Sequence, residues 1–385
     1  MSKVLFEVTE DNLETGMRGY PVGYCTTSHV DPQKGLFYVG KPISEMKDLM
    51  PMDIIFLIFH GKEGSADEKK AFEDELKKRE NVSKEVLDAI YALPKSGHPM
   101  DIFCASIQIL GMFEGKNDYR EDTLGLIAKI PIIAAAVINH HAGWGELKEV
   151  DPNLEYMEKF TALLNMPDKD PKVLTELMRL FNILHYDHGG GNLSAFVGKA
   201  IASGNQHLYG ALSGSMNALA GPKHGRANQD SLEFVKSVLE EVGENAKPED
   251  VEKVMRDRLA RKELAYGFGH AVLRVEDARA TILYEFAQKN FPDHPLVKTA
   301  LLLRSQGPKV LSENPKISNP YPNVDAISGT VLTAGGFLNP EYYTILFGIS
   351  RCIGISIQII YERMVAREGK GTPIVRPKYL YKSMS

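Results

Sequence analysis

A chain of 385 residues is long enough for a large core and two structural units. Hydrophobic residues make up 43%, charged residues 25%, and the net charge is -5, a composition that suits a soluble globular protein and gives no electrostatic reason to expect nucleic acid or membrane as a partner. The three cysteines, Cys25, Cys104 and Cys352, are dispersed and form no C-x-x-C, which argues against a disulfide framework or a zinc knuckle and suits a reducing compartment. The opening "MSKVLFEVTEDNLE" is acidic and lacks an apolar run, so neither a signal nor a transit peptide is expected, and the expected location is cytoplasmic.

In chain order, "GLFYVG" is the best strand pattern. "SADEKKAFEDELKKR" predicts a helix with Ser65 as N-cap and acidic residues in its first turn. Apolar residues then recur at helical spacing through "IFCASIQILGMF", "TLGLIAKIPIIAAAVI", "EYMEKFTALLNM" and "TELMRLFNILHYDH", with polar, proline-bearing separators. "IPIIAAAVINHHAGW" is too short to span a bilayer, and Arg351 interrupts "ILFGISRCIGISIQIIY". Both read as buried helices. "SLEFVKSVLEEV" puts Leu232, Val235, Leu239 and Val242 on one face. The segment 240–263 is charged and reads as surface. The expected fold is mainly α-helical. Residues 1–225 and 330–385 form a large helical domain, and 226–329 form a smaller inserted one.

Four stretches carry candidate chemistry. "HYDHGGGNLSAF" sets His185 and His188 on one helical face beside Asp187, an arrangement open to a metal or to a plain glycine-capped helix end. It lacks the partners of a P-loop or a nucleophile elbow. "AGPKHGRANQ" presents His224 just before a helix start, where the dipole keeps an imidazole neutral, or leaves it an inert loop residue. "YGFGHAVLRVEDARA" gathers His270, Arg274 and Arg279 behind Gly267 and Gly269, which permit close backbone approach; a solvated charged turn is the bland alternative. "NPYPNVDAISG" presents Asp325 on a proline-stiffened loop, either as a desolvated base or as a helix cap.

Together and in this order, these blocks resemble the citrate synthase family, closer to its mitochondrial type than to its NADH-regulated bacterial type. The likeness runs from "GMRGYPVGYCTTS" to "RPKYLY". There are departures. Ala278 stands where the family usually has proline, "GLFYVGKPI" replaces "RYRGYPI", "REGKGTPIV" is a slightly longer loop, and Lys223 stands where an apolar residue is common.

The resemblance implies a helical two-domain enzyme that condenses acetyl-CoA with oxaloacetate and hydrolyses the thioester to citrate and CoA, without metal or redox cofactor. It implies Asp325 as base and His224 as hydrogen-bond donor to the enolate, with Ser194 orienting that ring. His270 would polarise the oxaloacetate carbonyl. His188, Arg279, Arg351 and, from the second subunit of a homodimer, Arg376 would hold the carboxylates. Gly267, Phe268, Gly269, Ala271 and Asn323 would line the acyl-CoA site. A 2-methylcitrate synthase using propionyl-CoA is the alternative within the family. A metal-dependent hydrolase built on His185, Asp187 and His188 is the alternative outside it.

Overall fold

The computed structural model describes residues 3–383. A small antiparallel sheet comes first: β1 (Ser28–Asp31), β2 (Gly35–Tyr38) and β3 (Lys41–Pro42), with Ser28 opposite Tyr38 and Asp31 opposite Gly35. Its tight turn is chemically specified. Asp31 Oδ1 accepts from the backbone of Gln33 (2.8 Å) and Lys34 (2.9 Å), and Gly35 supplies φ +90°. The expectation for "GLFYVG" is met, and Tyr38 is the reason the strand matters. It is wholly buried, and its hydroxyl donates to Ile183 O at 3.0 Å.

Helices dominate the rest. They are α1 (Pro51–His60), α2 (Ala66–Lys77), α3 (Lys84–Tyr91), α4 (Pro99–Glu114), α5 (Tyr119–Ala142), α6 (Tyr156–Leu163), α7 (Pro171–His185) and α8 (Leu193–Ser203). There follow α9 (Leu208–Leu219), α10 (Ala227–Val242), α11 (Pro248–Ala260), α12 (Ala278–Asn290), α13 (Pro295–Ser312), α14 (Asp325–Ala334) and α15 (Tyr343–Ile360). Ser65 caps α2 as expected, accepting from Glu68 N at 3.2 Å while Glu68 Oε2 accepts from Ser65 N at 2.8 Å. On α10 the predicted face is buried through Leu232 and Val235, joined by Phe234 and Val238.

The first apolar stretch forms a longer helix than its 15 residues suggested, because α5 begins upstream at Tyr119 and runs through Pro131. Proline has no N–H for the carbonyl four residues back. Tyr156 supplies the missing donor, its hydroxyl bonding Ile127 O at 2.6 Å, so the helix continues. By length and composition, α5 and the helix containing α15 could each cross a membrane, but their apolar windows are 83% and 89% buried inside the protein. They are the axis of the core, and α15 packs against α5, α7, α8 and α9.

Helices α10 to α14 pack mainly on one another, and α12 reaches back to α7 and β2. The sheet's tip meets this group, where Arg274 N donates to Pro32 O at 2.8 Å. One contact sets the position of α15. A Cβ at Gly354 would lie 2.1 Å from Tyr186 O, so only glycine lets α15 pass this close beneath the turn after α7. Gly354→Ala should lower stability by about 1–3 kcal/mol in urea denaturation, the usual cost of overpacking a tight contact.

Candidate active site

Helix α15 carries Arg351 into the core, where it is 2% exposed. Its Nη1 donates to Asn192 Oδ1 at 3.2 Å, its Nε lies 3.5 Å from His185 O, and its guanidinium stacks 4.6 Å from the Phe347 ring centroid. Among the described residues no carboxylate ion-pairs with it. Burial pulls its pKa down to about 10, and the nearby charge of Arg279 pulls the same way, against Asp187. A buried guanidinium without a paired carboxylate is a site prepared for an anion.

Arg279, on the first turn of α12, is differently held. Its Nη2 donates to Asp277 Oδ2 at 2.7 Å and its Nε to Oδ1 at 3.0 Å, and both residues are buried. Burial opposes both charges, but the pair outweighs it: Asp277 lies below its ordinary value and Arg279 above. Asp277 also caps α12 through Arg279 N at 3.0 Å, so one carboxylate starts the helix and aims the arginine.

Three histidines lie in the fields of these arginines, and all are held neutral. Burial, then Arg279 and Arg351, hold His188 well below its ordinary value. Its Nε2 is buried and has no hydrogen-bond partner among the described residues. The His188 and His270 rings stand edge to face, centroids 5.3 Å apart. His270 Nδ1 accepts from the backbone of Val272 and Leu273, both at 3.0 Å, so the ring proton sits on Nε2 and is free to donate. Burial, then Arg279, lower its pKa.

His224 occupies the turn between α9 and α10. Ser194 N donates to its Nε2 at 3.2 Å, and Ser194 Oγ lies 2.9 Å from the same atom. Nε2 is therefore the acceptor and Nδ1 carries the proton. The pKa falls to about 4, through burial and then Arg351. Neutrality was expected from the helix start alone; the dominant physical cause is burial. The Ser194 hydroxyl also lies 3.0 Å from Asn192 Oδ1, which caps α8 through Ala195 N (3.1 Å) and receives Arg351. Asn192 thus ties together the His224 support, the glycine loop and the buried arginine.

Asp325 is the first residue of α14. It keeps part of its surface accessible, yet burial pushes its carboxyl up to about 6, against the pull of Arg279. Its loop is stitched to 267–273. Asn323 Nδ2 donates to Gly269 O at 2.9 Å, Asn319 Nδ2 donates to Leu273 O at 2.7 Å, and Asn323 N donates to Gly267 O at 2.9 Å. Gly267 has φ +80°, and a Cβ there would meet Ala326 Cα at 2.6 Å. This glycine admits the protein's own α14, whereas the sequence suggested close approach of a ligand. Phe268 likewise packs its ring on Gly307 of α13, while Ala271 is exposed.

Arg376 is not brought to the site of its own chain. It is exposed, and Val375 N is held by Ser203 Oγ at 2.9 Å, nine residues along α8 from Ser194, or roughly 14 Å by helical rise. The alternative of a metal-dependent hydrolase on His185, Asp187 and His188 loses its ligands. Asp187 Oδ1 accepts from Gln358 Nε2 (2.7 Å) and His188 N (2.9 Å), and its Oδ2 accepts from Thr27 Oγ1. His185 Nδ1 bonds Phe181 O at 2.7 Å, and no three His, Cys, Asp or Glu side chains converge on a metal-sized point among the described residues. Sequence reasoning passed over Asn192 and Asp277. Their signal was their place as Asn and Asp just before a helical run.

The sequence profile described as "Citrate synthase, C-terminal domain" matches residues 16–378. The chain belongs to the citrate synthase family. A mitochondrial citrate synthase of Citrus maxima is 37% identical over 97% of this chain and 83% of its own length. A protein named 2-methylcitrate synthase, mitochondrial, of Yarrowia lipolytica is 34% identical over 97% of this chain and 84% of its own. The citrate synthase of Thermotoga maritima superposes with a TM-score of 0.80 at 26% identity, covering 97% of this chain and 96% of that one. That of Thermoplasma acidophilum, solved with carboxymethyl coenzyme A and oxaloacetate, gives 0.80 at 24% identity over 96% of each chain. The expectations of a helical citrate synthase fold and of a citrate synthase, a transferase, are met. Relatives named for the mitochondrion and the peroxisome, with solved bacterial and archaeal members, show a family that spans compartments.

The raised Asp325 carboxyl makes a stability prediction for this protein. A folded-state pKa near 6 against an ordinary 3.8 means that the native protein binds this proton more tightly than the unfolded chain. Protonation therefore stabilises as pH falls from 6 toward 4, and the ionised form costs stability above 6. Asp325→Asn should raise the melting temperature at pH 8 and lose that advantage by pH 4.5, as read by paired thermal scans. Equal or lower stability at pH 8 would contradict the assignment of an unpaired, desolvated carboxylate.

Proposed function

We propose that the protein condenses acetyl-CoA with oxaloacetate and hydrolyses the product to citrate and CoA. The observation that carries this reading is the convergence of chemical states. Among the described residues, one carboxyl is tuned toward neutrality, one imidazole is neutral with Nδ1–H free, and a buried arginine has no paired carboxylate. The ligands solved in the Thermoplasma acidophilum relative agree with such a site.

Asp325 takes a proton from the thioester's methyl group. An ordinary aspartate, with a pKa of about 3.9, is a weak base, and each unit gained is worth about 1.36 kcal/mol. The shift to about 6 supplies part of what is needed. His224 supplies more by donating Nδ1–H to the oxygen on which enolate charge develops. The enolate carbon attacks the oxaloacetate carbonyl, which His270 polarises through Nε2–H. The resulting alkoxide takes a proton, and water then cleaves the thioester. Arg279 and Arg351 hold carboxylates by their planar forks, with His188 donating from its unpartnered Nε2. Backbone around Gly267, Phe268, Gly269 and Ala271, with Asn323, forms the acyl-CoA side.

Residues 226–329 act as a smaller domain on the larger 1–225 and 330–385. His270, Arg279 and Asp325 belong to the first, and His188 and Arg351 to the second. Oxaloacetate bridging the two would close the site and exclude water before the enolate forms. Arg376 serves the partner subunit of a homodimer. Its distance from its own site supports this, as do exposed apolar residues at both termini, among them Val4, Leu5, Tyr24, Tyr379 and Tyr381. The 2-methylcitrate synthase among the relatives keeps propionyl-CoA as a second reading; one methylene in a pocket changes selectivity by about 1–3 kcal/mol.

Thiol release from acetyl-CoA and propionyl-CoA, each with oxaloacetate, tests the reaction. Acetyl-CoA should be preferred, and Asp325→Asn should remove nearly all turnover while oxaloacetate still binds. An Asn variant within a few-fold of the parent would exclude Asp325 as base.

Shared sites are tested by refolding Asp325→Asn and Arg376→Ala chains together. Each variant alone should be nearly inactive. A mixed dimer then holds one doubly damaged site and one intact site, and activity should recover to about a quarter of the parent if subunits mix randomly and sites act independently. Mixed dimers demonstrated by mass without recovered activity would refute the exchange of Arg376.

A further inference from the structure

On α15, Arg351, Gly354 and Gln358 stand three and four residues apart, so they share one face of the helix. The turn after α7 lies across that face. A Cβ at Gly354 would meet Tyr186 O at 2.1 Å and Asp187 Cβ at 3.0 Å, which sets Asp187 against the turn of α15 that separates the arginine from the glutamine. Asp187 and Arg351 are both buried, yet they form no ion pair among the described residues. They are close enough to feel each other: burial pulls Arg351 down, and Asp187 is the largest influence in the other direction.

Both Asp187 oxygens are engaged elsewhere. Oδ1 accepts from Gln358 Nε2 at 2.7 Å and from His188 N at 2.9 Å, and Oδ2 accepts from Thr27 Oγ1. The His188 amide belongs to the same turn, but the two side-chain donors come from α15 and from the residue before β1. The turn is itself pinned, since Gly189 N donates to Ser28 Oγ at 2.7 Å. Gln358 is 2% exposed, and its Oε1 is buried without a partner among the described residues. An apolar side chain would avoid the cost of that orphaned oxygen. Packing alone therefore gives no reason for a glutamine here, whereas its donor has a specific task.

We infer that Gln358 is a positioning residue that, together with Thr27, holds the Asp187 carboxylate off Arg351 and so keeps the guanidinium open to a carboxylate ligand. The inference rests on the anion-binding role proposed above for Arg351. A buried carboxylate that loses its donors beside a buried guanidinium gains most by pairing with it. That internal pair would then compete with the ligand for the same planar fork.

Calorimetry of oxaloacetate with the intact protein reads this without turnover. Gln358→Met keeps the length of the side chain and removes the donor. With Arg351 left open about one-tenth of the time, oxaloacetate affinity should fall about ten-fold, in proportion to the open fraction. Thr27→Val removes the donor to the other oxygen and should act in the same direction, which keeps the test decisive if the Gln358 variant does not fold. Adding Asp187→Asn to either variant should return the affinity to within a few-fold of the parent, because an amide cannot neutralise the guanidinium. A lesion that merely loosened the packing would be deepened by the second substitution. A crystal structure of Gln358→Met, which needs no ligand, should show an Asp187 oxygen within about 4 Å of the Arg351 guanidinium. A double variant no tighter than Gln358→Met alone would overturn the inference, as would an Asp187 carboxylate still directed at His188 N and Thr27 in that structure. A parent that binds oxaloacetate but releases no thiol from acetyl-CoA would count against the proposed reaction, while rescue by Asp187→Asn would still support the inference.

Discussion

The site depends on a buried positive charge, Arg351, with which no carboxylate forms an ion pair among the described residues. Arg351 has given up water for two hydrogen-bond acceptors and an aromatic face. Burying a charge in this way costs several kcal/mol unless something repays it. Here the repayment is structural: α15 is packed among helices that include α5, α7, α8 and α9, and Gly354 lets it sit against the turn after α7. The helix cannot withdraw the arginine without dismantling the core.

The neighbouring protonation states follow first from burial and then from the charges of Arg279 and Arg351. Burial, and after it the field of both arginines for His188, of Arg351 for His224 and of Arg279 for His270, keeps each neutral. Neutral imidazoles keep one N–H for donation, and the backbone decides which. Ser194 N selects Nδ1 of His224, and the amides of Val272 and Leu273 select Nε2 of His270. Asp325 feels the opposite balance, since desolvation outweighs Arg279 and leaves it a stronger base than a free aspartate.

Positioning falls to short polar links between segments far apart in sequence. Asn192 joins the glycine loop, Ser194 and Arg351, while Asp277 starts α12 and aims Arg279. Asn319 and Asn323 bind the loop of His270 to the loop of Asp325. The result is a site whose candidate acid-base groups are held by caps and asparagines.

The sequence by itself determined the helical class, because apolar periodicity and caps such as Ser65 are local properties that survive in any compact fold. It also marked His188, His224, His270, Arg279, Arg351 and Asp325, through blocks whose order is specific. Four things were decided only in three dimensions. The length of α5 depended on Tyr156 bonding the carbonyl that Pro131 leaves free, a partner 29 residues away in sequence. The neutrality of His224 came chiefly from burial, which a local helix start cannot reveal. Gly267 proved to be spacing for α14, because its neighbours come from residues 231 and 326. The lack, among the described residues, of a carboxylate partner for Arg351 is a property of everything packed around it, and no stretch of sequence states what is missing from a residue's surroundings.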